Sequence, residues 1–197
     1  MDMPVRTLSN PHVDTDEIAQ GLNAKALRDL PEDAPVPEIK RSPLYIVLDN
    51  VYDTYNIGGL FRLSDALAVS RLCLCGSSET PPNSRIKKAS IGTYKVVPWT
   101  YYPTTLEAVE ALRSEVPDIQ IVAVELAEGS VPYTSFRYTA PTALVLGSET
   151  YGVSPEVLSV CDGIVDIPMH GFNISLNVIV SGAIVAYHAQ SQLDFPA

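Results

Sequence analysis

The sequence predicts an α/β fold in which helices cover both faces of a parallel β-sheet. Apolar runs rich in Val, Ile and Leu lie at residues 44–48, 119–124 and 143–146. These runs do not alternate polar with apolar residues, which indicates strands buried on both faces. Segments of helical periodicity separate them, and strand–helix alternation is typical of a parallel sheet. With 197 residues, the chain is long enough for one such domain with a sizeable core.

The first 43 residues differ from the rest and are expected to form an N-terminal arm. Residues 14–28 could form a short helix with an acidic start, and residues 30–38 form a Pro-rich linker. The predicted domain organisation is therefore an arm at 1–43 followed by one domain at 44–192.

The domain's first half is expected to contain strands, one helix and a turn-rich loop. This loop runs through Pro81, Pro82 and Asn83. The other predicted elements are a strand at 44–48, a helix at 58–69 and strands at 71–75 and 94–97.

The second half continues the alternation. Thr104 or Thr105 would cap a helix at 105–115, and Ser154 with Pro155 would begin a short helix at 155–160. Ser175 is a good N-cap for the last helix. The remaining predicted elements are strands at 119–124, 143–146 and 163–167 and a last helix at 175–190.

The charge of the chain is uneven. A net charge of −10 and a pI near 4.6 argue globally against nucleic acid as a partner. Between Glu79 and Glu107, however, no acidic residue occurs, and tyrosines and a tryptophan lie among or after the basic residues there. This segment could be an RNA contact surface or a solvated loop with core aromatics. Its basic residues are Arg85, Lys87, Lys88 and Lys95.

Cysteine usage and hydropathy favour a cytoplasmic protein. Cys73, Cys75 and Cys161 form no C-x-x-C pair and have no accompanying His cluster, so we expect reduced, buried thiols and no metal. The N-terminus lacks the apolar segment of a signal peptide. Residues 171–193 carry no Asp, Glu, Lys or Arg but are too polar for a lone bilayer helix. We expect a buried helix there, partly at a subunit interface.

The first of three segments with candidate catalytic or binding residues follows the first strand. Asn56, Gly58 and Gly59 lie where a loop enters a helix, and Arg62 lies in its early turns. A cation is not favoured near the positive end of a helix. Arg62 is therefore either a functional group for a phosphate or ribose, or an ordinary ion-pair partner of Asp65 or Asp53.

The second segment is residues 147–152 and the third is residues 167–177. Gly147 permits close approach of the backbone to a ligand, and Glu149 could accept from turn amides or meet Arg62. Asn177 would lie in the first turn of the last helix. His170 could be read as a general base, but a lone histidine in a loop is more often incidental.

Two enzyme classes are disfavoured by missing motifs. No G-x-S-x-G elbow of a serine hydrolase occurs, and no G-x-G-x-x-G of a dinucleotide site follows the first strand.

Taken in order, the three segments resemble the motifs of SpoU-type RNA methyltransferases of the SPOUT class. The motifs are N-x-G-x-x-x-R at 56–62, L-G-x-E-x-x-G at 146–152 and I-P-M-x-G-x-x-x-S-L-N at 167–177. The resemblance covers about residues 44–190, and residues 81–92 look like the family's substrate-side loop.

The resemblance implies a parallel sheet whose C-terminal part forms a deep trefoil knot, a rare exception among folds. It also implies a homodimer with the last helix at the interface. The cofactor would be S-adenosylmethionine, and the reaction methyl transfer to a ribose 2′-hydroxyl of tRNA or rRNA, with tRNA favoured. The cofactor would contact Val124, Glu125, Gly147, Ile167, Met169, Ser175 and Leu176.

The resemblance also implies catalytic roles. Arg62 would bind the adjacent phosphate and stabilise the developing alkoxide, because an always-charged guanidinium is an awkward base. Asn56 and Asn177 would orient Arg62 or the ribose, and Glu149 would brace the site. RNA would contact Arg85, Lys87, Lys88 and Lys95. The alternatives are a non-catalytic RNA-binding or assembly factor of the same fold, and a methyltransferase acting on a base or a protein.

Overall fold

A computed structural model describes residues 24–32 and 39–195 of the chain. Within them, a sheet of seven parallel strands has the order β3-β2-β1-β6-β4-β7-β5. The two central strands pair in register, with Ile46 opposite Leu144 and Asp49 opposite Gly147. The strands are β1 (Ser42–Asp49), β2 (Val69–Cys75), β3 (Trp99–Tyr102), β4 (Gln120–Val124), β5 (Val131–Pro132), β6 (Thr142–Gly147) and β7 (Gly163–Asp166).

Helices cover both faces of the sheet. One core contains Phe61, Ile86 and Val185, packed against one face of β1. The other contains Leu112 and Val157, packed against the opposite face. The helices are α1 (Ala24–Asp29), α2 (Thr54–Ala66), α3 (Ser84–Ser90), α4 (Thr105–Glu115), α5 (Pro155–Leu158) and α6 (Val178–Gln190). The predicted parallel sheet between helices is therefore confirmed.

Two helices begin at residues other than those predicted, and in both cases a side chain explains the difference. The N-cap of α6 is Asn177, not Ser175, because the Asn177 Oδ1 accepts from the Ile179 amide at 2.9 Å. Asp53 caps α2 by accepting from the Tyr55 amide at 2.8 Å, so α2 begins at Thr54 rather than at residue 58. By contrast, Thr104 caps α4 as predicted.

The segment after β2 differs most from the prediction. Asn83 accepts from the Arg85 and Ile86 amides, and this cap begins helix α3 where a loop was expected. The predicted strand at 94–97 is wrong, because Thr93–Lys95 form a 3₁₀ turn and the strand begins only after Pro98, at Trp99. The two-residue β5 was not predicted and is too short for a periodic signal.

Part of the predicted arm packs on this segment. Leu27 is buried, and Gly92 lies so close that a Cβ there would overlap the Leu27 backbone. The Lys95 ammonium donates to the carbonyls of Leu30 and of Arg28, the latter at 3.1 Å. Of the helix predicted at 14–28 only Ala24–Asp29 is seen, since residues 14–23 and most of the predicted linker lie outside the described residues.

Two of the three cysteines are buried, as the sequence predicts. Cys73 and Cys75 are buried in β2, Cys161 is half-buried, and all three are free. Burial raises the pKa of Cys73 and of Cys161 to about 12, so these thiols stay protonated near neutral pH. In the described ranges, no group of His, Cys, Asp and Glu side chains could hold a metal ion. None of the helices described there is long and apolar enough to cross a membrane.

Candidate active site

A cavity of about 590 Å³ opens at the carboxyl ends of β4, β6 and β7. This is where ligands bind in open α/β sheets, and the volume falls within the usual range for small-molecule sites. Its walls include all the residues expected to contact the cofactor: Val124, Glu125, Gly147, Ile167, Met169, Ser175 and Leu176.

The polar side chains of the cavity are acidic or neutral. Glu125, Glu149 and Asp166 line it, and among the described residues no Lys, Arg or His does so. His170 is exposed and does not line the cavity. Such a cavity suits a ligand that is neutral or positively charged and disfavours a phosphate.

The loop between β6 and α5 closes on itself beside the cavity. The Ser148 amide donates to the Gly152 carbonyl at 3.1 Å, and the Gly152 amide donates back to Ser148 at 2.9 Å. A Cβ on Gly147 would overlap the backbone of Gly152 and Val153. The glycine at 147 is thus needed for the loop to approach itself, whereas the sequence had suggested approach to a ligand.

Two carboxylates hold the end of this loop from opposite sides. Glu125 Oε2 accepts from the Val153 amide at 2.8 Å, and Asp49 Oδ2 accepts from the Ser154 amide at 2.7 Å. Asp49 is 1% exposed, and its other oxygen accepts from the Thr105 hydroxyl at 2.6 Å. Sequence reasoning missed Asp49, although an acid that ends a fully apolar strand is a signal that could have found it.

A chain of hydrogen bonds joins the three motif segments beside the cavity. Asn56 Nδ2 donates to Glu149 Oε1 at 2.6 Å, and Asn177 Nδ2 donates to Asn56 Oδ1 at 3.0 Å. The predicted partners of Glu149, turn amides or Arg62, are therefore wrong, and its partner is Asn56. Asn56 is buried, so these two bonds fix the amide and leave the Glu149 carboxylate exposed at the mouth of the cavity.

Arg62 is exposed on α2 and makes no hydrogen bond or ion pair within the described ranges. The predicted alternative, an ion pair with a nearby acid, is not observed. Asp53 is the cap of α2, and Asp65 interacts with Arg41. Burial raises the pKa of Asp65, and the nearby Arg41 charge partly offsets this effect.

The basic residues predicted to contact RNA fall into two groups. Arg85, Lys87 and Lys88 are exposed on α3, with Lys87 Nζ 3.8 Å from Glu32 Oε1. Lys95 is half-buried, and its ammonium is engaged by the carbonyls of the N-terminal segment.

The aromatic residues of this segment divide in the same way. Tyr94 and Trp99 pack edge-on against Phe61, with ring centroids 6.4 Å apart in each pair, and Tyr101 is exposed. The Tyr94 hydroxyl donates to Glu32 at 2.5 Å. Burial, together with this contact, raises the pKa of Tyr94. Tyr94 and Trp99 are therefore core aromatics, whereas Tyr101 and the basic residues of α3 are exposed.

Comparison with known proteins adds independent information. The family model of the SpoU rRNA methylase family matches residues 43–187. A tRNA (guanosine(18)-2′-O)-methyltransferase of Thermus thermophilus is 32% identical over 154 residues, which are 78% of this chain and 77% of that protein. The 23S rRNA (guanosine-2′-O-)-methyltransferase RlmB of Vibrio parahaemolyticus is 30% identical over 77% of this chain and 60% of its own length.

Solved structures agree with these matches. The TrmH/SpoU tRNA modifying enzyme of A. aeolicus superposes with a TM-score of 0.70 at 32% identity, covering 86% of this chain and 81% of that chain. The SpoU methyltransferase AviRb of Streptomyces viridochromogenes, in complex with AdoMet, gives a TM-score of 0.69 at 28% identity. That match covers 80% of this chain and 65% of AviRb.

Proposed function

The chain belongs to the SpoU rRNA methylase family, and we propose that it transfers a methyl group from S-adenosylmethionine to a ribose 2′-hydroxyl of tRNA or rRNA. The observation that carries this proposal is the hydrogen-bond chain from Asn177 through Asn56 to Glu149. It joins the three motif segments at the mouth of a cavity of suitable size. An exposed arginine on the same helix as Asn56 completes the set.

The chemistry of the cavity fits the cofactor. S-adenosylmethionine supplies a methyl group that is activated by a positively charged sulfur. Three carboxylates in the walls, and no described cation among them, favour that charge. Val124, Ile167 and Met169 would provide apolar walls for the adenine, and the loops at Gly147 and Ser175 would offer backbone groups to it.

Arg62 would bind the RNA rather than remove a proton. A guanidinium has five donors and stays protonated, so it suits a phosphate and a developing alkoxide. Because no described residue forms a hydrogen bond or ion pair with it, the Arg62 guanidinium is available for these contacts.

The polar chain would position the ribose. In the described residues, no hydrogen bond uses Glu149 Oε2, which leaves this oxygen available to a ribose hydroxyl. Asn56 and Asn177 hold Glu149 in place rather than contacting Arg62 directly.

The quaternary structure and knot of the family are part of the proposal. Val180 and Tyr187 of α6 are 45% and 55% exposed, so this apolar side of the helix is not covered by the rest of the described chain. A second copy packed on α6 would bury them and would explain the uncharged stretch at 171–193. We propose a homodimer through α6, with the C-terminal segment tied in the deep trefoil knot of the family.

The preferred RNA is proposed to be tRNA, and the site of action the cytoplasm. Relatives named for tRNA are 31–34% identical to the chain, and those named for 23S rRNA are 28–30% identical.

To test the proposed methyl transfer, purified protein is incubated with radiolabelled S-adenosylmethionine and total small RNA. The RNA is then digested, and the labelled nucleoside is identified. We expect a 2′-O-methylribonucleoside. A methylated base would contradict the proposed acceptor. Bound cofactor without transfer to either tRNA or rRNA precursors would instead support the non-catalytic factor.

A further inference from the structure

Three exposed tyrosines lie on the segments that carry the polar chain, and one of them, Tyr151, lines the cavity. Tyr52, Tyr55 and Tyr151 are 48%, 49% and 88% exposed. We call these residues the tyrosine rim. Large apolar rings are normally buried, and three of them on these segments indicate an interaction surface.

Each residue of the rim is tied to the site by sequence or by contact. The Tyr52 hydroxyl lies 2.5 Å from the Thr150 hydroxyl, next to Glu149. Tyr55 precedes Asn56 in the first turn of α2. Tyr151 lies two residues after Glu149, in the loop between β6 and α5. The rings therefore lie within one or two residues of the groups that would hold the ribose.

Tyr55 also shares a helix face with Arg62. Seven residues separate them on α2, which is close to two turns, so both side chains point from one face about 10 Å apart along the axis. A chain that places a phosphate at Arg62 can place a neighbouring base on the Tyr55 ring.

The charge of the molecule makes stacking important. With a net charge of −10, the chain as a whole repels RNA, so phosphate contacts at Arg62 and at the three exposed basic residues of α3 offer limited attraction. Aromatic side chains bind unpaired bases through the ring faces, which depends little on sequence. Bases inside a duplex do not expose those faces.

We propose that the tyrosine rim stacks on unpaired bases next to the methylated nucleotide, so that the chain acts on single-stranded or looped RNA and not on duplex. This inference rests on the proposed function and names the class of RNA segment that the same site takes.

The test uses the full-length protein with Tyr55→Leu and Tyr55→Phe as a matched pair. Tyr55 is half-exposed, and phenylalanine keeps the ring while leucine removes it. The probes are an unstructured RNA oligonucleotide that contains 2-aminopurine and the same strand in a duplex. Affinity and fluorescence quenching are measured at several salt concentrations, and cofactor binding is measured by calorimetry.

We expect Tyr55→Leu to weaken binding of the unpaired RNA about tenfold and to reduce quenching, with an unchanged salt slope. Tyr55→Phe should bind like the unchanged protein. Tyr52→Leu should act like Tyr55→Leu, and cofactor binding should stay within a few-fold for all three variants.

The inference is overturned if the leucine variants bind as well as the unchanged protein, or if they lose affinity equally for duplex and unpaired RNA. A change in oligomeric state in these variants would also overturn it, because the rim would then be a subunit contact. If the leucine variants lose stacking but the unchanged protein transfers no methyl group to RNA, the rim remains a base-stacking surface and the proposed function is refuted.

Discussion

Most polar side chains at the candidate site are held by partners from distant parts of the chain. Asn56 bonds to Glu149 and Asn177, which lie 93 and 121 residues away in sequence. Asp49 holds Ser154 from 105 residues away. Arg62 differs, because no described residue pairs with it. The unpaired guanidinium of Arg62 suits a phosphate, whereas the acidic cavity at the strand ends suits a neutral or positively charged ligand.

Replacing Arg62 with alanine separates cofactor binding from transfer. We expect methyl transfer to fall by about 100-fold or more, since one oxyanion-stabilising donor is typically worth that much. Cofactor affinity should stay within a few-fold, because Arg62 does not line the cavity. Single-turnover transfer and calorimetric titration measure the two quantities. A collapse of cofactor affinity would refute the assigned role.

Asp49→Ala tests whether the buried carboxylate positions the cofactor loop. Removing both oxygens leaves the Ser154 amide without its partner, which should lower the free energy of unfolding by about 1–3 kcal/mol and weaken cofactor binding. Asp49→Asn keeps one acceptor oxygen, so its stability and its cofactor affinity should fall between those of the unchanged protein and those of Asp49→Ala.

Thr105→Val is the matched control for Asp49, because it removes only the hydroxyl that donates to the opposite oxygen. It should reduce stability in urea denaturation and leave cofactor affinity unchanged. Equal loss of affinity in Thr105→Val and Asp49→Ala would show that Asp49 acts through general stability alone.

At the residue scale, the sequence predicted which residues line the cavity but not how they are bonded. Motif positions located Asn56, Glu149 and Asn177 correctly at one site. The predicted partner of Glu149 was wrong because the sequence offers several plausible donors. The closed loop at 148–152 determines that Glu149 contacts Asn56.

Helix ends decide where the elements of this fold begin. Capping side chains at Asp53, Asn83 and Asn177 each accept from an amide of the first turn. Periodicity could predict the core strands, since their apolar runs are buried on both faces. It missed α3 because only Ile86 and Ser90 of that helix are buried, too few for a periodic signal.

Lys88→Glu tests helix α3 as an RNA contact. Lys88 is exposed and is not part of the ion pair that Lys87 makes with Glu32. We expect weaker RNA binding and a salt slope reduced by about one or more, because a phosphate contact is lost.

Arg137→Glu provides the matched charge change for Lys88→Glu. Arg137 is exposed, and its carbonyl accepts from Gln120 at the start of β4, the end of that strand away from the cavity. Filter-binding titrations at several salt concentrations should show little change for this variant. An equal effect of both substitutions would mean that net charge, and not α3, governs RNA binding.

At the scale of the whole molecule, the exposed apolar side of α6 is the surface through which we propose that two copies of the chain pair. Tyr187→Asp would place a charge in the proposed interface and should convert the dimer to monomer in sedimentation velocity. Ser114→Asp on the exposed side of α4 adds the same charge and should leave the dimer intact. A monomeric unchanged protein, or a dimer that tolerates Tyr187→Asp, would contradict the interface.

The order of the sheet also has a consequence for synthesis on the ribosome. β6 lies between β1 and β4, so the hydrogen-bonding edge of β1 on that side has no partner until residue 147 has been made. β1 is nearly all apolar, and translation of the intervening residues takes on the order of several seconds. An unpaired apolar strand edge invites pairing with other chains. The nascent chain is therefore most open to aggregation, and to capture by chaperones, in the interval before β6 emerges from the ribosome.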